Sequence, residues 1–107
     1  AFYAGSDELT APMMAMGGQG VISVAANIAP ALMRQMTHAP LPQAAQLNLR
    51  LLPLIRALFA EVNPIPVKAA AALLGLCENR VRLPLVEMTA ENQQKLKAEM
   101  ERIGLLC

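Results

Sequence analysis

The chain contains no tryptophan, one tyrosine and two phenylalanines in 107 residues. With aromatics at only 3%, it has no stacking platform for single-stranded nucleic acid. Charge is scarce too, at 16% of residues, against ~25% in ordinary soluble proteins. The formal net charge of +1 offers no electrostatic footprint for nucleic acid. Arg80 and Arg82 lie close together, but two arginines make no basic stripe. Cys77 and Cys107 are the only cysteines, and their spacing fits no metal site, so reduced thiols are expected. An uninterrupted apolar run is also missing. Residues 9–33 carry no charge, yet Pro12, Gly17, Gly18, Gln19, Gly20, Asn27 and Pro30 break them up. A spanning helix needs roughly 20 apolar residues in sequence, so no membrane partner is expected. The start lacks a basic region followed by a cleavable apolar run, so no signal peptide is read and a cytoplasmic location is expected.

What the chain has in excess is apolar residues, at 55%. A free-standing domain of this size has a large surface to cover with polar groups. The excess points to a surface buried against further chain or other subunits. The opening Ala1-Phe2-Tyr3-Ala4-Gly5 has no Met and reads as a strand entered midway.

Residues 1–4 read as the end of a buried strand, with Gly5-Ser6-Asp7 as its exit and Ser6 or Asp7 as the cap of a short helix. Leu9, Met13 and Met16 fall on one face of that helix, Pro12 lies near its first turn, and Gly17-Gly18 end it. Val21-Ile22-Ser23-Val24-Ala25 lacks alternation, the pattern of a strand buried on both faces. Pro30 then starts a helix with Ala29, Leu32, Met33 and Met36 on one side. Strand, helix, strand, helix predicts an α/β fold with parallel strands. Two strands alone cannot form a stable sheet.

From residue 39 the pattern becomes helical. Ala39-Pro40-Leu41-Pro42 reads as a rigid linker. A long amphipathic helix follows, carrying Leu47, Leu51, Leu54, Ile55 and Leu58, with Pro53 expected to kink it. Asn63-Pro64-Ile65-Pro66-Val67-Lys68 predicts an extended elbow and then a helix over residues 66–74, capped by Gly75. Residues 81–86 form a short apolar run broken by Pro84. Thr89 starts the last helix, with Leu96, Met100 and Ile103 inward and Glu91/Lys95 and Lys97/Glu101 as outward i,i+4 pairs. The organisation read is residues 1–38 as two βα units and residues 39–107 as a three-helix extension.

Several of these segments together resemble one enzyme family, the dihydrodipicolinate synthases. Gly17-Gly18-Gln19-Gly20-Val21-Ile22-Ser23-Val24 is similar to the family's Gly-Gly-x-Gly-Val-Ile-Ser-Val, and Ala26-Asn27 follows as expected. Leu51-Leu52-Pro53-Leu54, Leu58-Phe59, the elbow from Asn63 to Lys68, and Arg82-Leu83-Pro84-Leu85 agree in order. Gly5-Ser6-Asp7 resembles a Gly-Asp-Asp turn, with Ser6 as a departure. N-acetylneuraminate lyases share the fold but fit the elbow and the Arg-Leu-Pro link less well.

The resemblance implies the C-terminal part of a (β/α)8 TIM barrel, its last two βα units, plus three appended helices, in a homo-oligomer. It implies a Schiff-base lyase that condenses pyruvate with L-aspartate 4-semialdehyde in lysine and diaminopimelate biosynthesis, without a cofactor or metal. Such a chain would need the N-terminal barrel portion as partner. The family's Schiff-base lysine and its tyrosine relay would lie upstream of Ala1, so no catalytic residue is expected here and the chain alone should be inactive. Two positions carry over at the pyruvate pocket. Ile22 would line it with its main chain, besides being a barrel core residue. Gly5, at a strand exit, would leave the substrate room, although an ordinary turn glycine reads equally well.

Other candidates are weaker. Lys68 follows the signature prolines, but a Schiff-base lysine needs burial or a cationic neighbour, and the first turn of a helix offers neither. Lys95 and Lys97 fall on a wet face. Tyr3 reads as core, His38 as a surface histidine at a helix C-terminus, and Glu61 as a solvated partner of Arg56. The rival reading is a non-enzymatic helical module that self-associates through its apolar faces.

Overall fold

The computed structural model describes residues 1–107. Two compact units divide it, Ala1–Ile55 and Arg56–Cys107. Five α-helices are present: α1 (Thr10–Ala15), α2 (Pro30–His38), α3 (Leu41–Leu58), α4 (Ile65–Leu73) and α5 (Ala90–Arg102). Single turns of 3-10 helix occupy Asp7–Leu9 and Ala25–Asn27.

The first unit begins with two extended segments that meet at one parallel bridge, Ala4 with Val21. Ala4 N donates to Gly20 O and Ile22 N donates to Ala4 O, each at 2.9 Å. Parallel pairing with a helix between the partners is the crossover that the sequence pattern predicts. The expected strands themselves do not form. The sequence predicts one buried strand over residues 21–25, but pairing stops at Ile22, and Val24 already has helical dihedrals (φ −77°, ψ −45°). The reason is local. The Asp7 carboxylate draws the Val24 and Ala25 amides into a turn, and no third strand covers the other edge. The architecture is therefore helical, with one bridge where two strands were expected.

Helix α1 ends as predicted. Gly17 takes φ +94°, Gly18 N donates to Met13 O at 2.7 Å, and Gly17 N donates to Met14 O at 3.0 Å. Those two bonds satisfy carbonyls that a helix end would leave bare. A Cβ on Gly18 would come within 2.7 Å of Met13 O, so the close approach requires glycine there. The predicted apolar face of α1 is not its buried one: Leu9 and Met16 are exposed, and Thr10 and Ala11 are buried. In six residues, small side chains allow a closer approach to neighbours than methionines do. Met33 and Met36 of α2 are buried as read.

The long helix takes up most of the expected linker. Helix α3 starts at Leu41, leaving only Ala39 and Pro40 between it and α2, because proline is tolerated in a first turn. All five predicted stripe residues, Leu47, Leu51, Leu54, Ile55 and Leu58, are buried, and Pro53 lies inside the helix.

In the second unit the elbow is a turn rather than an extended link. Ile65 N donates to Val62 O at 2.9 Å, and the Asn63–Pro64 peptide is cis. The Arg82-Leu83-Pro84-Leu85 link repeats this arrangement, with Leu85 N donating to Arg82 O at 3.0 Å and a cis Leu83–Pro84 peptide. Helix α4 begins one residue earlier than predicted, with Pro66 in its first turn, and Gly75 (φ +77°) follows its end. Thr89 caps α5 through its side chain, which accepts from Asn92 N. Leu96, Met100 and Ile103 are buried. Of the two expected pairs, Glu91–Lys95 closes at 3.4 Å and Lys97–Glu101 does not. No helix is long and apolar enough to cross a membrane.

Candidate functional site

The segment from Gly17 to Asn27 joins a glycine-ended helix to a bridge residue and then to a short 3-10 turn, all within eleven residues. Its course is set from the opposing segment. Besides the bridge bonds, Gln19 N donates to Phe2 O at 3.0 Å. Gly20 lies against the Tyr3 ring, which a Cβ would approach to 3.0 Å.

Asp7 then fixes the far end. It is almost fully buried, at 1% exposure. One carboxylate oxygen accepts a short hydrogen bond from the Ser23 hydroxyl. The other accepts from Val24 N at 3.0 Å and Ala25 N at 3.2 Å. Ser23 Oγ in turn accepts from Ala26 N at 2.9 Å. Thr10 Oγ1 donates to the Asp7 carbonyl at 2.7 Å and so secures the aspartate's own backbone. The sequence offers Asp7 as a possible cap of the helix it precedes. Instead it satisfies the amides of the turn 17 to 18 residues later, which a capping carboxylate can do from any part of the chain.

Ile22 stands between the bridge and this cluster. Its N–H is used by Ala4, and its carbonyl accepts no hydrogen bond within the chain. The side chain read as core is 75% exposed, because nothing packs over this edge. Ile22 lines an open groove of about 380 Å³ together with Tyr3, Ser23, Met33, Arg34 and His38. Tyr3, also expected in the core, is 54% exposed here. Gly5 does not line the groove. It is exposed, and a Cβ there would meet nothing within 4 Å. The structure thus brings Ile22 and Tyr3 to one surface and leaves Gly5 outside it.

The groove contains no lysine. Lys68 lies half-buried in the first turn of α4, and its carbonyl accepts a weak contact from Cys77 Sγ at 3.9 Å. Lys95 pairs with Glu91 and Lys97 is exposed. His38 is an exposed residue at the end of α2, with Nδ1 2.9 Å from Arg34 O. Cys77 and Cys107 are free and exposed, and no three His, Cys, Asp or Glu side chains gather as metal ligands would.

In the second unit Glu61 does not pair with Arg56. Its carboxylate accepts from Asn92 Nδ2 at 2.8 Å, Thr89 Oγ1 at 3.0 Å and Thr89 N at 3.1 Å. The Asn92 amide is the largest influence on this group. Partial desolvation works against it, and the two Thr89 bonds add to it, so the Glu61 pKa lies below its ordinary value. Neither Asp7 nor Glu61 was identified as an anchor from the sequence. A hydroxyl (Ser23 or Thr89) placed where each partner segment turns was the available signal.

Comparison with known proteins follows the same segments. The model of the dihydrodipicolinate synthetase family matches residues 1–103. The 4-hydroxy-tetrahydrodipicolinate synthase of Thermomicrobium roseum is 53% identical over 100 residues, covering 90% of this chain and 33% of that protein. The synthase of Methanosarcina barkeri is 48% identical over 106 residues, covering 95% of this chain and 36% of that protein. Among solved structures, the chloride-inhibited dihydrodipicolinate synthase of Acinetobacter baumannii complexed with pyruvate superposes with a TM-score of 0.94 at 36% identity, over 99% of this chain and 38% of that one. The chain spans about a third of the length of the curated relatives it matches. With its five helices and its single parallel bridge all inside the matched region, the chain belongs to the dihydrodipicolinate synthetase family.

Proposed function

We propose that the chain is the C-terminal third of a 4-hydroxy-tetrahydrodipicolinate synthase, comprising the last two βα units of a (β/α)8 barrel (residues 1–38) and three appended helices (residues 39–107). The observation that carries this reading is the family match over residues 1–103, with close to half of the residues identical to synthases from distant organisms. The parallel Ala4–Val21 bridge across an intervening helix supports the βα assignment.

The reaction is the condensation of pyruvate with L-aspartate 4-semialdehyde. A lysine amine attacks the pyruvate carbonyl, water leaves, and the protonated imine draws electrons from the neighbouring methyl group. The resulting enamine adds to the aldehyde. This chain contributes the pyruvate side of the pocket through the Ile22 main chain, with Gly5 leaving clearance. The lysine and the tyrosine relay belong to the N-terminal barrel portion. Large exposed apolar side chains, Leu83 at 87% and Ile22 at 75%, support burial against that portion and against further subunits.

The test is a chimaera in which this chain replaces the matching third of the Methanosarcina barkeri relative. The chimaera should condense the two substrates. The isolated chain, treated with pyruvate and borohydride, should show no mass increase. A pyruvate adduct on the isolated chain would sink the reading and point to Lys68. A folded chimaera without activity would sink it as well.

A further inference from the structure

A buried aspartate with three donors converging on it exceeds what the pocket assignment alone requires. We infer that Asp7 is a positioning residue for the pyruvate pocket: its carboxylate fixes the direction of the Ile22 carbonyl. The inference rests on the functional reading of Ile22 given above.

The geometry is a two-point clamp. On one side of Ile22, its N–H is held by Ala4 O at 2.9 Å. On the other side, the hydroxyl of Ser23 and the amides of Val24 and Ala25 are all held by Asp7. Both anchors come from residues three positions apart in one short segment, and Thr10 Oγ1 secures the second of them. The backbone on both sides of Ile22 is therefore held, while its carbonyl accepts nothing from the chain. An acceptor held in a constant direction and left unused within the chain is suited to a ligand that carries a donor. Protonated pyruvate imine or its enamine provides an N–H of that kind.

Only a carboxylate fits the position well. It has two oxygens with about four lone-pair sites for the three donors. Asparagine keeps one oxygen for the two amides, and its NH2 can turn toward Ser23 Oγ, so most of the clamp survives. Alanine leaves a hydroxyl and two amides without acceptors at a site with 1% exposure, and the turn must open to rehydrate them.

The experiment uses the active chimaera with Asp7→Ala and Asp7→Asn, measuring KM separately for pyruvate and for the aldehyde. Asp7→Ala should raise the pyruvate KM about 10-fold or more, given how steeply misplacement is penalised, and leave the aldehyde KM within about twofold. Asp7→Asn should recover most of the pyruvate KM. Hydrogen exchange of the peptide spanning residues 19–27 should quicken in the alanine variant and much less in the asparagine variant. Equal changes in both KM values, or activity that falls only in proportion to the folded fraction, would make Asp7 merely structural and overturn the inference. Should Asp7→Ala not fold, Asp7→Glu decides, because its longer side chain keeps the acceptors but displaces the turn: a raised pyruvate KM alone supports the clamp, and equal changes or two unchanged KM values overturn it. An unsubstituted chimaera without activity overturns the functional reading and this inference together, whereas an active one indifferent to Asp7 overturns only the inference.

Discussion

Helix α3 allows the same substitution on two opposite faces. Leu54 is 0% exposed and Leu49 is 68% exposed. Truncating a fully buried leucine to alanine removes its burial and leaves a cavity, which together cost about 3 kcal/mol when neighbours relax only partly. Leu49→Ala loses little packing and gains slightly in helix propensity, so it should stay within about 0.5 kcal/mol of the parent. With a urea slope of about 1.5 kcal/mol per molar for a chain of this size, Leu54→Ala should lower the unfolding midpoint by about 2 M. Leu49→Ala should leave it within about 0.3 M, by the same slope. Circular dichroism at the helix band during a urea titration reads both. Equal shifts for the two variants would refute the assignment of the buried stripe. A large shift for Leu49→Ala alone would mean that α3 is rotated about its axis relative to the structure described here.

Three further outcomes concern other elements. Glu61 has a pKa lowered by Asn92 and Thr89. Its contribution to stability is therefore fully present above the unfolded glutamate pKa and is lost as pH falls through the lower folded one. Glu61→Gln should be less stable than the parent at neutral pH and equal to it in strong acid, as urea midpoints compared across pH would reveal. Gly5→Ala, where a Cβ meets nothing within 4 Å, should leave the chain's midpoint unchanged yet raise the pyruvate KM of the chimaera. An unchanged KM would return Gly5 to an ordinary turn glycine. Gly17→Ala, at φ +94°, should cost about 1 kcal/mol, because alanine pays for a left-handed conformation there.

The helices of the second unit were legible because an amphipathic stripe needs only a period of 3.6. Leu96, Met100 and Ile103 identify the inner face of α5 without knowledge of their partners. The long stripe of α3 was readable for the same reason, and so were the glycines that end α1, α4 and α5, since positive φ selects glycine locally. The strands were not legible to the same degree. Whether Val21 to Ala25 stays extended depends on what pairs with its edges, and the pattern cannot say which edges are filled. The chain turns at Val24 because of a carboxylate 17 residues earlier, a distance that no periodicity reaches. Ile22 was identified by resemblance to a family motif, and burial in a barrel was inferred along with it. The exposure of its side chain follows from its uncovered edge. The sequence hides the roles of Asp7 and Glu61 for one shared reason. An acidic residue next to a helix end has an obvious local role, and in both cases the real partners belong to another segment.

The acidic groups of the two units will also respond differently to ionic strength. Asp7 is held by a hydroxyl and two amides, neutral dipoles in contact with it and shielded from solvent. Mobile ions screen such contacts very little. The charge pairs Glu78–Arg80 and Glu91–Lys95 are formed by side chains 67 to 83% exposed, where added salt competes directly and such pairs contribute little to begin with. Concentrated salt would therefore weaken these two exposed pairs of the second unit and leave the crossover of the first intact. The part of the chain nearest the proposed pocket keeps its shape through contacts that the composition of the surrounding electrolyte hardly touches.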